Sequence, residues 1–458
     1  MSFQLRAYQL ETINNIVTSM KHGNRSIMVQ QPPRTGKTVI MADIAKRTTD
    51  NGKRIMFIVH RKEIVDQVKA TFEKQGVDMS LATIGMVQTL TRRIQTLSEP
   101  AVLFVDEAHH VLAKSYRRIL DAFPDAIKLL FTATPIRMSG EGFEEVADDL
   151  IVGKSVQWLI DHGNLAPIDY YAPKQIDTEQ LKTKRTGEFT EESIAKAVKP
   201  KIYGNAVKHY QQLASGKQAI AYAYNVASAE HLANAFSQAG ISAKAVSGKT
   251  PKDERDQIIR DYRDGKIMVV TNAELFTEGL DLPNVDCVIM LRPTQSLSLF
   301  LQFGMRAMNP REGKTAVIID HVGNVERFGL PTDDRQWTLK GSEKSIRTSE
   351  SVETIKSVTV CAECFATFYR INDICPFCGA KLITDKEIEV VEEAELQKVE
   401  QRKNRAKQLL EDNALMAVAD KTPKELTSMA QLQAYAKLHN FKHGWVYYQA
   451  KAKGLIHA

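Results

Sequence analysis

The stretch Gln31-Pro32-Pro33-Arg34-Thr35-Gly36-Lys37-Thr38 decides the fold of the segment around it. It follows an apolar run at 27–29, which predicts a buried strand, and it precedes a helical pattern at 39–47. A bound phosphate needs backbone N–H groups at a helix N-terminus, an ammonium for its oxygens and a hydroxyl for Mg²⁺. The final Gly-Lys-Thr supplies all three. The strict phosphate-loop pattern has a glycine where Gln31 stands, so a chance Gly-Lys-Thr remains the alternative.

An acidic pair at the end of a second strand removes that alternative. The apolar run at 102–105 predicts a strand that ends in Asp106 and Glu107. An acidic residue at this end of a strand can hold Mg²⁺, and the neighbouring carboxylate can orient or deprotonate the attacking water. With Lys37 and Thr38 of the loop, the pair forms the Walker A and B combination. The sequence therefore predicts an ATPase that holds ATP and Mg²⁺ through Lys37, Thr38 and Asp106.

The chain around these motifs alternates short β-branched apolar runs with amphipathic stretches. From about residue 25 this pattern predicts parallel strands covered on both faces by helices. A polar stretch at 166–200, interrupted by prolines and a glycine, predicts a connection between domains. We therefore predict an α/β fold of two tandem units, residues 1–165 and 201–340, with a ligand site between them.

Six short motifs resemble those of superfamily 2 helicases, over roughly residues 3 to 330. One of them, Asp106-Glu107-Ala108-His109, resembles the DEAH box. The others are Leu5-Arg6-Ala7-Tyr8-Gln9, Val59-His60-Arg61 with Gln67, Thr132-Ala133-Thr134-Pro135, Thr271 through Asp281, and Gln302 with Arg306. The resemblance implies two RecA-like domains with parallel sheets.

The same resemblance assigns roles to individual residues. Catalysis is assigned to Lys37, Asp106, Glu107, Gln302 and Arg306. Nucleotide contact is assigned to Gln9, Thr35, Gly36, Lys37, Thr38, Asp106, Gly279 and Asp281, with Gln9 reading adenine. Coupling of hydrolysis to strand binding is assigned to His109, Thr132 and Thr134, and nucleic-acid contact to His60, Arg61 and Thr271.

The last motif departs from the family pattern. Arg306 keeps the first arginine, a candidate finger for charge that develops on the γ-phosphate. Met305 replaces the usual glycine, and Asn309 stands where a second arginine is expected. Losing one finger costs several powers of ten in rate unless another group replaces it, and Arg311 is a candidate replacement. The phosphate loop departs too, because Arg34 stands where related sequences usually carry glycine.

Four of the five cysteines form a CxxC–x10–CxxC array in the segment 357–384. They are Cys361, Cys364, Cys375 and Cys378. Four thiolates from two tight knuckles can close a tetrahedral Zn²⁺ shell, so the spacing predicts a structural zinc ribbon. Redox pairs or an iron–sulfur cluster are the alternatives. Cys287 lies in an apolar run and is predicted to be a core residue.

The last segment, 385–458, is predicted to be helical. It starts with a charged helix over about 385–410, acidic in its first half and basic in its second, which suits the helix macrodipole. Residues 422–458 then mix aromatic with basic side chains. These are the ingredients of a surface for single-stranded nucleic acid, although aromatics at helical spacing also build a small core or a partner contact.

The bulk properties and the combined layout bear on partners and location. The net charge of +6 is compatible with a polyanionic partner. Neither a secretory signal nor an apolar run of about 20 residues is evident, so we expect a cytoplasmic protein without a membrane partner. The layout resembles compact phage and prophage helicases with a C-terminal zinc ribbon. This resemblance implies a 3′ to 5′ motor on single-stranded or forked DNA, working in replication, recombination or repair, with replication proteins as candidate partners. An ATP clamp with feeble turnover and an RNA helicase are the alternatives.

Overall fold

The computed structural model describes most of the two tandem units and parts of the C-terminal region. The described residues are 3–59, 62–136, 142–172, 181–184, 187–197, 201–273, 282, 284–340, 358–360, 367–369, 374, 398–399, 423, 426–439, 441 and 443–453. They fall into two compact units, Met1–Glu353 and Thr354–Ala458. Among the described residues, no helix combines the length and the apolar character needed to cross a membrane.

The first domain is built on a six-stranded sheet in which every pairing is parallel, in the order β3-β2-β4-β5-β1-β6. Its strands are β1 (Ser26–Gln30), β2 (Ile55–Val59), β3 (Ala82–Met86), β4 (Val102–Val105), β5 (Ile127–Thr132) and β6 (Asp149–Val152). Its helices are α1 (Ala7–Lys21), α2 (Lys37–Asp50), α3 (Lys62–Gln75), α4 (Val87–Arg92), α5 (Lys114–Ala122) and α6 (Val156–Asp161). The strand order brings the carboxyl ends of β1, β4 and β5 together, where the predicted site residues begin.

Strands β1, β2 and β4 are buried at every position, on both faces of the sheet, which explains their runs of apolar residues. Successive side chains of a strand point to opposite faces. Val29 and Phe57 therefore join one core cluster with residues of α1, α2 and α3, while Met28 and Met56 join another with residues of α4 and α5. Covered parallel sheets of this kind are the ones predicted from the sequence.

The second domain has a parallel series of strands in the order β7-β12-β11-β8-β10-β9. They are β7 (Ile168–Tyr171), β8 (Ala219–Tyr222), β9 (Ala243–Val246), β10 (Val269–Asn272), β11 (Cys287–Met290) and β12 (Ala316–Asp320). The helices are α7 (Glu191–Ala197), α8 (Lys201–Leu213), α9 (Val226–Gln238), α10 (Lys252–Arg263), α11 (Leu297–Gly304) and α12 (Asn324–Phe328). Cys287 is fully buried in β11, which confirms it as a core residue.

One strand of this sheet comes from the stretch predicted to connect the domains. Ile168 and Tyr170 of β7 alternate into the core, and the buried Tyr170 hydroxyl donates to Asp320 at 2.8 Å. The stretch between the two prolines that flank β7 is too short for its pattern to distinguish a strand from a loop. Further along the same stretch, the Glu188 carboxylate accepts from the Thr294 hydroxyl at 2.7 Å. Much of the predicted connection is therefore part of the second domain.

The chain returns from the second domain to the first after α12. The Arg335 guanidinium donates to four main-chain carbonyls between Phe328 and Asp333, which folds this return segment tightly. Leu339 then packs against a core cluster of the first domain, and its carbonyl accepts from the Phe143 amide at 2.7 Å. Residues predicted to end the second domain thus tie it to the first.

The second unit has three short strands and two helices among its described residues. Strand β13 (Val358–Val360) pairs antiparallel with β14 (Thr367–Tyr369), and β14 pairs in parallel with β15 (Lys398–Val399). The helices are α13 (Met429–Leu438) and α14 (His443–Ala452). Strand β15 differs from the charged helix predicted over about 385–410. β-Branched Val399 favours extended backbone, and pairing with β14 supplies its hydrogen bonds.

Candidate nucleotide site

Two side chains of helix α1 hold the phosphate loop in place through hydrogen bonds. The loop residue Gly36 begins α2 with a left-handed φ of 78°, which glycine adopts without strain. Both the amide Nε2 of Gln9 and the hydroxyl of Tyr8 donate to the Thr35 carbonyl, at 2.9 and 2.7 Å. A Cβ on Gly36 would lie 2.7 Å from that Gln9 nitrogen. Glycine at this position therefore lets Gln9 reach the loop without displacement.

The ammonium of the loop and the acidic pair of β4 belong to one electrostatic site. The Nζ of Lys37 lies 3.4 Å from the Gln31 carbonyl. Burial of Glu107 raises the pKa of its carboxyl, but a hydrogen bond with His109 and the charge of Lys37 outweigh this effect and lower the pKa to about 2. Glu107 is therefore ionised at neutral pH. Its main-chain amide donates to the Asp106 carboxylate at 3.0 Å, which orients the neighbouring acid.

A chain of polar contacts joins the end of β4 to the end of β5. The Nδ1 of His109 lies 3.4 Å from the Glu107 carboxylate and 3.4 Å from the Thr132 hydroxyl. That hydroxyl accepts from the Thr134 amide at 3.1 Å and donates to the Thr134 carbonyl at 3.2 Å. Thr132 and Thr134 are fully buried. The structure thus brings together the three residues predicted to couple hydrolysis to strand binding.

The second domain contributes Arg306, which follows α11 and is buried. Burial raises the pKa of the Tyr222 hydroxyl, while the positive charges of Arg306 and Arg34 lower it, and Arg306 also hydrogen-bonds to this hydroxyl. Arg34 belongs to the phosphate loop and has a left-handed φ of 67°. Guanidinium groups from both domains therefore lie close to Tyr222, a residue that no sequence signal singled out.

Gln302, one turn before Arg306, is also buried, and both of its side-chain amide atoms lack a hydrogen-bond partner among the described residues. A buried amide of this kind costs free energy unless a polar ligand or water satisfies it. These groups thus fit a polyanionic nucleotide. The first domain offers an ammonium and a helix N-terminus, and the second offers a guanidinium and an unsatisfied amide.

Other predicted residues are placed elsewhere. Arg311 pairs with Asp286, so the Arg311 guanidinium is already engaged. The same carboxylate also binds the ammonium of Lys314 at 3.0 Å. Thr271 is fully buried and its hydroxyl donates to the Ala229 carbonyl at 2.6 Å, which commits it to the packing of α9 on β10. Its contact with nucleic acid stays a prediction.

Several predicted residues lie outside the part of the chain that the structure describes. These are His60, Arg61, Gly279, Asp281, Cys361, Cys364, Cys375 and Cys378. No cluster of potential metal ligands occurs among the described residues. Thr38 and Asp106 are described, as the second residue of α2 and the residue after β4.

Comparison with known proteins agrees with the two-domain arrangement. The family "Type III restriction enzyme, res subunit" matches residues 2–137, and "Helicase conserved C-terminal domain" matches residues 203–310. A 51.5 kDa protein of a Lactococcus phage (isolate 7-9) is 38% identical over 387 residues, which cover 84% of each chain.

More distant similarities extend over larger proteins. A Saccharomyces cerevisiae protein assigned as the ATP-dependent helicase IRC3 is 28% identical over 355 residues, 70% of this chain and 51% of its own. The chain thus spans about half the length of that relative. A fragment assigned to the HsdR subunit of a type I restriction enzyme from Vibrio vulnificus YJ016 has a TM-score of 0.57 at 22% identity, covering 71% of this chain and 66% of its own. At that identity the likeness concerns the fold alone.

Proposed function

Because the chain belongs to the superfamily 2 helicases and is an ATP-dependent nucleic-acid helicase or translocase, we propose that it moves along DNA by closing its two domains on ATP. The observation that carries the proposal is that arginines of both domains, Arg34 and Arg306, act electrostatically on the hydroxyl of Tyr222. In the first domain, the charge of Lys37 likewise acts on the Glu107 carboxyl. Groups from both domains would then contact one nucleotide, so its hydrolysis would change how the domains are held.

Lys37, Thr38 and Asp106 would hold the nucleotide and its metal. Mg²⁺, when bound, would supply positive charge that offsets the negative charge of the phosphate groups. The ammonium of Lys37 would contact the β and γ oxygens, Thr38 would offer its hydroxyl, and Asp106 its carboxylate. Gln9 would contribute through the loop, because its amide fixes the Thr35 carbonyl beside Gly36, in addition to reading adenine.

Glu107 would act first by orienting water. A carboxyl with a pKa of about 2 is ionised at neutral pH, so it accepts hydrogen bonds but is a weak base. It can therefore align an attacking water before it takes up any proton. His109 and Thr132 would transmit the state of this carboxylate to the end of β5, since Nδ1 of His109 contacts both side chains.

Arg306 and Gln302 would complete the site from the second domain. The guanidinium would stabilise charge on the transferred phosphoryl group, a contribution of about 10³- to 10⁵-fold in related enzymes. The unsatisfied Gln302 amide offers both a donor and an acceptor to a phosphate or to the water. Arg311 pairs with Asp286, so it does not support a second arginine finger. Because Asn309 stands where the second arginine is expected, an ATP clamp with feeble turnover is the competing function.

Steady-state ATP hydrolysis with single-stranded DNA, duplex DNA and RNA tests the proposal. We expect strong stimulation by single-stranded or forked DNA and none in Lys37→Ala, which loses the ammonium. Stimulation by RNA alone would make the protein an RNA helicase. ATP binding without turnover under all conditions would support the clamp instead.

The remaining assignments are proposals of finer detail. We propose that Cys361, Cys364, Cys375 and Cys378 bind one Zn²⁺; a purified protein without zinc by elemental analysis would refute this. We also propose that His60, Arg61 and Thr271 contact nucleic acid, and that Gly279 and Asp281 contact the nucleotide. We further propose a cytoplasmic location, 3′ to 5′ movement and a place in phage replication with replication proteins as partners, all on the family resemblance. The Lactococcus phage relative supports the phage context alone.

A further inference from the structure

The C-terminal helix pair, α13 and α14, builds its own small core. Leu426, Leu432, Tyr435 and Ala450 are buried there, and Met429, Trp445 and Val446 pack against them. The rings of Tyr435 and Trp445 are stacked with their centroids 5.7 Å apart. The expectation of a small aromatic core therefore holds for these two rings, but they account for only part of the aromatic content of this segment.

Three further aromatic side chains of this segment are exposed, two on α14 and one in the connection between the helices. Tyr448 is 72% exposed, Tyr447 is 51% exposed and Phe441 is 44% exposed. Residues three and four apart are neighbours on the surface of a helix, so Lys451 lies beside both Tyr447 and Tyr448 on α14, and all three side chains are exposed. We call these three residues the tyrosine face.

The ionisable side chains near the C-terminus include basic residues but no carboxylates. Residues 426–458 contain four lysines and three histidines but no aspartate or glutamate. The whole chain has 55 acidic residues among 458, so about four would be expected in a segment of this length. Because no carboxylate competes for the lysines within this sequence, the segment is complementary to a polyanion.

We propose that the tyrosine face binds a single-stranded polynucleotide, as a surface additional to the helicase domains. Exposed rings can stack on bases of any sequence, and an adjacent lysine can neutralise a phosphate. Tyr447 and Tyr448 supply the rings, with centroids 5.8 Å apart and nearly perpendicular planes, and Lys451 supplies the charge. An apolar protein partner would fit less well, since the face combines two hydroxyl groups with an ammonium. The proposal rests on the nucleic-acid function of the chain but not on ATP hydrolysis.

Binding of labelled oligo-dT and oligo-U of 20 nucleotides to the full chain, followed by fluorescence anisotropy, tests the proposal. We expect Tyr448→Ala to weaken binding by about 5- to 100-fold, the range for loss of one stacked base. Tyr448→Phe keeps the ring and should bind like the wild type. Loss in the oligo-dT arm alone, or in both arms, supports the proposal and identifies which polynucleotide the face takes.

Lys451→Ala gives an independent readout through salt. Removal of one phosphate contact should reduce the slope of log K against log salt by about 0.7. Lys196→Ala is the matched control, because Lys196 is an exposed helical lysine that pairs with Glu192, and it should leave the slope unchanged.

The proposal is overturned if Tyr448→Ala binds both oligonucleotides like the wild type, or if Tyr448→Phe loses as much affinity as Tyr448→Ala. DNA-stimulated ATP hydrolysis separates this result from a failure of the motor. If the wild type binds oligonucleotide through Tyr448 without DNA-stimulated turnover, the motor fails and the tyrosine face stands. If turnover is stimulated equally in all variants and binding is unchanged, the motor stands and the tyrosine face fails.

Discussion

Gly36 and Gly240 form a matched pair for testing how the phosphate loop is held. Their φ angles are almost equal, +78° and +76°. Alanine in this left-handed region costs about 1–2 kcal/mol. A Cβ on Gly240 would meet nothing within 4 Å, whereas a Cβ on Gly36 would lie 2.7 Å from Nε2 of Gln9. The difference between the two substitutions therefore isolates the contact with α1.

The size of that difference follows from the hydrogen bond that must be displaced. The Gln9 amide has to move away from the new methyl group and lose its 2.9 Å bond to the Thr35 carbonyl, worth about 1 kcal/mol. The carbonyl itself still accepts from the Tyr8 hydroxyl, so no buried acceptor is left unsatisfied. We expect Gly36→Ala to cost about 2–3 kcal/mol and Gly240→Ala about 1–2 kcal/mol.

Hydrogen exchange in increasing urea measures the two losses of unfolding free energy separately. Peptides of α2 report on Gly36→Ala, and peptides of α9 report on Gly240→Ala. The two domains need not unfold together, so a single global midpoint would not serve. The Gln9→Ala, Gly36→Ala double variant removes the clash and should be more stable than the sum of the single losses by about 1 kcal/mol. Equal losses for the two glycine variants, or strict additivity in the double variant, would refute the reasoning.

Two further predictions concern strain and pH. Arg34 has a left-handed φ of 67°, so Arg34→Gly should be more stable than Arg34→Ala by about 1 kcal/mol in the same exchange experiment; the opposite order would contradict a strained loop. Burial lowers the pKa of His209 to about 4 and that of the stacked His321 to about 3. Below about pH 6.5 these histidines take up protons in the unfolded state first. Their contribution to stability is therefore full above about pH 6.5 and is lost as the pH falls toward 4 and then 3. Burial raises the pKa of Asp320 to about 6, and its protonation in the folded state opposes that loss below pH 6. His209→Leu should therefore reduce the loss of unfolding free energy near pH 5 by about 1.4 kcal/mol per pH unit. An unchanged pH dependence of hydrogen exchange in α8 peptides would exclude His209 as a source.

The parts predicted correctly from the sequence are those set by local pattern. Uninterrupted apolar strands predicted the covered parallel sheets, and the loop ending at Gly36 and Lys37 lies beside the acidic end of β4 as expected. The influence of Arg34 and Arg306 on Tyr222 could not be predicted, because it depends on how two domains distant in sequence approach each other. The direction of the Thr271 hydroxyl was equally hidden, since strand periodicity gives the face of a side chain but not its hydrogen-bond partner.

ATP turnover with saturating single-stranded DNA, compared between the wild type and Arg306→Ala, tests whether both domains close on one nucleotide. Closure of both domains on one nucleotide predicts DNA-stimulated turnover in the wild type and a loss of about 10³-fold or more in Arg306→Ala, while Lys37 and the loop still bind ATP. Equal turnover in the two proteins, or ATP binding without turnover in the wild type, would contradict it.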